Sequence, residues 1–97
     1  MAANVLLKDY VVNSVSGDYE NMQFLRSRIT QWPEEYRRAF SEEALLAAID
    51  EAIEDDLIRV YKYNVLKHSF EKCDLQMRAI DDYWFLKKGT FGYPHNL

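Results

Sequence analysis

Ser41-Glu-Glu-Ala-Leu-Leu-Ala-Ala-Ile-Asp-Glu-Ala-Ile-Glu-Asp-Asp-Leu-Ile-Arg-Val-Tyr61 holds the decisive change of period in this chain. Up to Ile53 the apolar residues fall three and four apart, at Leu45, Ala48, Ile49, Ala52 and Ile53, which is one face of a helix. Ser41 suits the N-cap because its hydroxyl can accept a bond from a free amide of the first turn, and Glu42 and Glu43 complement the positive end of the helix dipole. Asp55 and Asp56 oppose the dipole at the other end. From Leu57 the texture changes to the β-branched and aromatic residues Ile58, Val60, Tyr61 and Tyr63. The stretch therefore predicts a helix with an acidic outer face that runs straight into a strand.

Toward the N-terminus, Val5, Leu6, Tyr10, Val11, Val12 and Val15 have the mixed spacing of a short, largely buried helix. Ser14 to Gly17 supply a flexible connection. Asp18 is the expected cap of a second helix from about Tyr19 to Gln31, whose stripe is Met22, Leu25, Ile29 and Trp32. Pro33 disfavours helical geometry at Trp32 but suits a first helical position, so Glu34 to Phe40 are expected to form one further turn.

Toward the C-terminus, Ile80, Tyr83, Trp84, Phe85 and Leu86 precede Lys87, Lys88 and Gly89 and read as a second strand, antiparallel to the first. The connection from Asn64 to Ala79 is long for a hairpin. Its alternation of Cys73, Leu75, Met77 and Ala79 extends a strand or adds another, and a further helix in residues 65–79 stays open. The tail from about residue 89 to 97, with Phe91 and Tyr93, either folds back or docks on a partner.

At 97 residues with 48% hydrophobic content, the chain is sized for one core and one domain spanning 1–97. Only three Gly and two Pro, without low-complexity tracts or repeats, argue for an ordered chain. A single cysteine, Cys73, excludes an intrachain disulfide, and neither a secretory signal nor a membrane span is evident. A cytoplasmic setting is expected for a complete chain. The net charge of -4 disfavours affinity built on neutralising many phosphates.

The order of elements resembles the winged-helix subclass of helix-turn-helix domains. Glu43 to Ile58 look like its final helix and exit, and Arg59 to Asn64 with Asp82 to Gly89 look like its wing strands. The resemblance implies an α+β, mostly helical fold: a three-helix core, then an antiparallel hairpin with a long wing loop. In DNA-binding members the helix before the wing enters the major groove and presents basic or amide side chains. Here every charged residue between Ser41 and Asp56 is acidic: Glu42, Glu43, Asp50, Glu51, Glu54, Asp55 and Asp56. Such a helix repels a polyanion. Transcription regulation through DNA would then fall to a basic wing of Arg59, Lys62, Lys67, Lys72 and Arg78, although Lys and Arg interspersed with Glu71, Asp74, Asp81 and Asp82 fit an ordinary solvated hairpin better.

No reaction signature competes with this reading. His68, Cys73 and His95 match no metal-ligand spacing, Gly17, Gly89 and Gly92 are isolated, and the acidic helix is expected to be a solvated face rather than a catalytic pair. A non-enzymatic protein without cofactor or small-molecule site is expected. The seven Tyr, five Phe and two Trp exceed what a small core needs and suggest a protein partner or self-association. Adjacent strand residues point to opposite faces, so with Trp84 in the core, Tyr83 and Phe85 join Tyr61 and Tyr63 in an outer row. The expected protein interface is this row together with Asp50, Glu51 and Glu54; an acidic inhibitor or immunity-type protein is a further reading of the same charges.

Overall fold

The last helix leads directly into the sheet because its C-terminus is built to turn. The computed structural model describes residues 3–90. Within them follow α1 (Ala3–Ser14), β1 (Glu20–Asn21), α2 (Met22–Arg28), α3 (Glu34–Ala39), α4 (Glu42–Glu54), β2 (Ile58–Asn64), β3 (Ser69–Lys72) and β4 (Trp84–Lys87). Two 3-10 segments, Ile29–Gln31 and Met77–Asp82, complete the path. The fold is α+β, with helices packed on one side of a four-stranded antiparallel sheet.

Ser41 caps α4 as its chemistry predicts: its backbone is extended and its Oγ accepts from the Ala44 amide at 3.0 Å. Leu45, Ala48, Ile49 and Ala52 are buried, and Ile53 packs at the rim of the core. At the other end Asp56 takes the left-handed conformation with φ 57°. The Leu57 amide then donates to the Ala52 carbonyl at 2.9 Å and the Asp56 amide to the Ile53 carbonyl at 3.0 Å, a Schellman closure made with Asp where Gly is usual. The two aspartates that oppose the helix dipole are each held by a lysine, Asp55 by Lys8 at 2.7 Å and Asp56 by Lys88.

The sheet order is β1-β4-β2-β3, and every neighbouring pair is antiparallel. Long β2 is central, flanked by β4 and β3. The residues between Asn64 and Ala79 thus divide: Ser69–Lys72 form a further strand, hairpinned to β2, while the Met77 and Ala79 end of the apolar alternation belongs to a 3-10 segment. Register places Val60 opposite Phe85 and Tyr61 opposite Trp84. Ile58, Val60 and Phe85 therefore meet the helices, and Arg59, Tyr61 and Trp84 look away from them.

The second helix departs from expectation at its start. Asp18 does not cap it; Glu20–Asn21 form a two-residue strand on β4, and Asn21 caps α2 by accepting from the Phe24 amide at 3.0 Å. The short helices are tied to α1 through aromatic contacts. Buried Tyr10 donates its hydroxyl to the Leu25 carbonyl at 2.6 Å and meets Trp32 edge-on at 4.7 Å. Trp32 in turn meets Tyr36, whose hydroxyl donates to Asp9 at 2.9 Å. The tail residues Phe91, Tyr93 and His95 lie outside the described residues.

Candidate functional site: an acidic helix face, an aromatic sheet face and a hairpin tip

Helical geometry sorts the carboxylates of α4 into two sets. One set is engaged within the chain. Glu42 receives Arg26 through its Nε and a terminal nitrogen at 3.0 and 2.6 Å, and the same guanidinium reaches Asp81 at 2.6 Å. These two carboxylates raise the Arg26 pKa above its ordinary value. Lys8 of α1 donates to Glu51 at 3.0 Å and to Asp55 at 2.7 Å, and those bonds, Asp55 first, raise its pKa. The other set, Glu43, Asp50 and Glu54, is exposed on the helix side away from the core. Of the predicted acidic interface residues, Asp50 and Glu54 lie on this outer face and Glu51 sits at the α1 seam.

The expected aromatic row is inverted about β4. Tyr83 and Phe85 are buried in the core, so neither belongs to an outer surface, and Trp84 takes the outer position. The reason lies in a distant pairing: Trp84, Phe85 and Leu86 are all apolar, so the sequence does not say which one faces in, and the register with Val60 decides it. Tyr61 and Tyr63 do lie on the outer face. There they join Tyr19 and Phe70, which carry no periodic signal. Tyr19 stacks on Phe70 with centroids 3.8 Å apart and meets Tyr61 at 5.1 Å, while Phe70 meets Tyr63 at 5.0 Å and Trp84 at 5.5 Å. Each ring is half-buried, and the cluster forms a second apolar layer behind the sheet.

The basic residues do not share one surface. Arg59 lies on the outer side, 3.9 Å from Asp56; the Lys62 ammonium sits 5.2 Å from the Tyr83 ring centroid; Lys67 is 3.7 Å from Glu71. Lys72 is opposite Tyr61 on the outer side, and Arg78 is exposed on the 3-10 segment beyond β3.

Between β2 and β3 the turn is locally determined. The Asn64 side-chain oxygen accepts from the Leu66 and Lys67 amides at 3.0 and 3.1 Å, its amide donates to Glu71 at 3.1 Å, and His68 adopts φ 51°. This ordered turn holds Val65 and Leu66 in solvent, 70% and 93% exposed. No periodicity marks a turn residue, so sequence reading passes over the pair.

At the opposite end of β2, Val5, Lys8, Asp9, Val12 and Leu57 line a surface groove of about 280 Å³. His68 and Cys73 are set apart in the chain's path, and among the described residues no group of three or more His, Cys, Asp or Glu converges as a metal site. Burial pushes the Cys73 thiol up. No helix of the described residues is long and apolar enough to cross a membrane. No protein-family model, curated protein or solved structure matches this chain.

Proposed function

We propose that this chain is a small non-enzymatic protein-interaction module of winged-helix-like build, whose α4 faces a basic protein surface rather than DNA. The observation that carries the proposal is the outer face of α4. It presents Glu43, Asp50 and Glu54, and no Lys or Arg occurs between Ser41 and Asp56. The winged-helix-like part of the reading is supported by a helical core whose last helix passes within four residues, 55–57 and Ile58, into an antiparallel strand set. In that arrangement α4 stands where a DNA reader would place its recognition helix. Three unscreened carboxylates there oppose phosphate and suit a cationic partner, because complementary charge steers encounter and sets specificity.

The test uses the full chain immobilised as bait against extract of its native host, beside the Asp50→Asn/Glu54→Gln variant. Retention of a protein by the wild type that is lost by the variant, with unchanged circular dichroism, is the expected outcome. An identical set of proteins on both, or none on either, would remove the acidic face as a contact.

A further inference from the structure

From the tip of the β2–β3 hairpin we infer that this protein attaches weakly and reversibly to a lipid bilayer, with Val65 and Leu66 entering the interfacial layer of a neutral membrane surface. The inference goes beyond the α4 reading and uses none of its residues. Leu66 is 93% and Val65 70% exposed, the two largest exposures among the large hydrophobic residues described. Adjacent in one turn, they make a convex aliphatic point.

The strand register makes this point project. β4 pairs with β2 from Ile58 to Tyr61, whereas β3 pairs with it from Tyr61 to Asn64. From Lys62 onward the sheet is a two-stranded arm, and the four steps from Tyr61 to Val65 carry its tip roughly 13 Å past the last β4 partner. Tyr19 stacked on Phe70, and Tyr63 edge-on to Phe70, hold the root of the arm. Apolar groups of interfacial proteins sink roughly 5–10 Å into the boundary between headgroups and acyl chains, a depth this arm reaches while the body stays in water. Such a contact requires no spanning helix.

Two features fit the tip to lipid rather than to a protein pocket. The turn satisfies its own backbone: the Leu66 and Lys67 amides donate to the Asn64 side-chain oxygen at 3.0 and 3.1 Å. Amides left unpaired in an apolar layer would offset what an aliphatic side chain gains by entering it. Two side chains also fall far short of the roughly 1,000 Å² that a specific protein interface buries, and a bilayer demands no complementary shape. Charge is not the attraction. Lys67 lies 3.7 Å from Glu71, and a net charge of -4 gives the protein no pull toward anionic headgroups. On insertion the Lys67 stem follows the apolar layer and its ammonium stays among the headgroups.

Flotation of the full chain with phosphatidylcholine vesicles is the test, with lipid raised to about 20 mM because the contact is weaker than a single acyl chain. The bound fraction of the wild type is expected to rise with lipid and to be the same at about 0.05 and about 0.5 M salt. Leu66→Asp and Val65→Asp should each lower partitioning at least about 10-fold, the gain from burying one aliphatic side chain, with unchanged circular dichroism. Leu66→Trp should keep binding, and brominated phosphatidylcholine should quench its emission beyond that of the wild type. No bound wild type, Asp variants that bind as the wild type does, binding lost in salt, or no excess quenching would each overturn the inference. A wild type that ignores vesicles but retains a host protein released by Leu66→Asp would give the tip to a protein pocket, and overturn it likewise. None of these outcomes bears on the Asp50→Asn/Glu54→Gln comparison, so the two readings fail separately.

Discussion

Replacing Tyr10 with Phe isolates one hydroxyl at the junction of three helices. Tyr10 is fully buried, its Oη donates to the Leu25 carbonyl at 2.6 Å, and its ring lies edge-on to Trp32. Phe keeps the ring and the edge contact. What is lost is one neutral hydrogen bond, about 1 kcal/mol net, and the buried Leu25 carbonyl left without that donor, about 1 kcal/mol more. A loss of about 2 kcal/mol lowers the melting temperature of a domain this size by roughly 8–16 °C. The same burial pushes the Tyr10 phenol up to about 12 from its ordinary value of 10.0. A pKa raised on folding means that the neutral phenol is favoured in the native state. Its contribution is then fully present below about pH 10 and is lost as pH rises toward 12. Thermal melts at pH 7 and urea midpoints across the alkaline range read both effects, and the gap between wild type and Tyr10→Phe should narrow above pH 10. A variant melting within roughly 1 °C of wild type, with an unchanged alkaline limb, would refute the buried hydrogen bond.

Three further outcomes follow from particular contacts. Ser41→Ala should cost about 1 kcal/mol and Ser41→Asp little, read by urea denaturation, because either cap can accept from the Ala44 amide; equal losses in both would deny the cap. Phe85→Ala should cost about 3–5 kcal/mol as a core deletion, and the half-buried Trp84→Ala distinctly less; the reverse order would put the wrong face of β4 in the core. Alkylation of Cys73 at pH 8 should be slower in the native protein than in urea, since burial raises its pKa, and equal rates would contradict that placement.

The legible parts of the fold are those with a cap and a long period. The α4 stripe, its Ser41 cap, its exit into β2, and the turn Glu34–Ala39 after Pro33 follow from side-chain chemistry within one element. What escaped depends on partners far along the chain. Glu20–Asn21 are too short to carry a strand signal and owe their conformation to pairing with Trp84 and Phe85. Ser69–Lys72 contain one aromatic and no β-branched aliphatic residue, yet the Asn64 turn brings them onto β2. Trp84 and Phe85 point to opposite faces of β4, and which one faces the core depends on the register with Tyr61 and Val60. Among the surface residues, charge identified Asp50 and Glu54, while the engagement of Glu51 by Lys8 spans 43 positions and is invisible locally.

The central claim is that α4 presents a protein-contacting rather than a DNA-contacting face, and fluorescence anisotropy of a short labelled duplex tests it most directly. The titration is run at about 50 mM salt, where phosphate contacts are strongest, with protein raised to about 100 µM. Glu43, Asp50 and Glu54 on the outer face predict a flat titration. A saturable rise in anisotropy that weakens steeply with added salt would contradict the account.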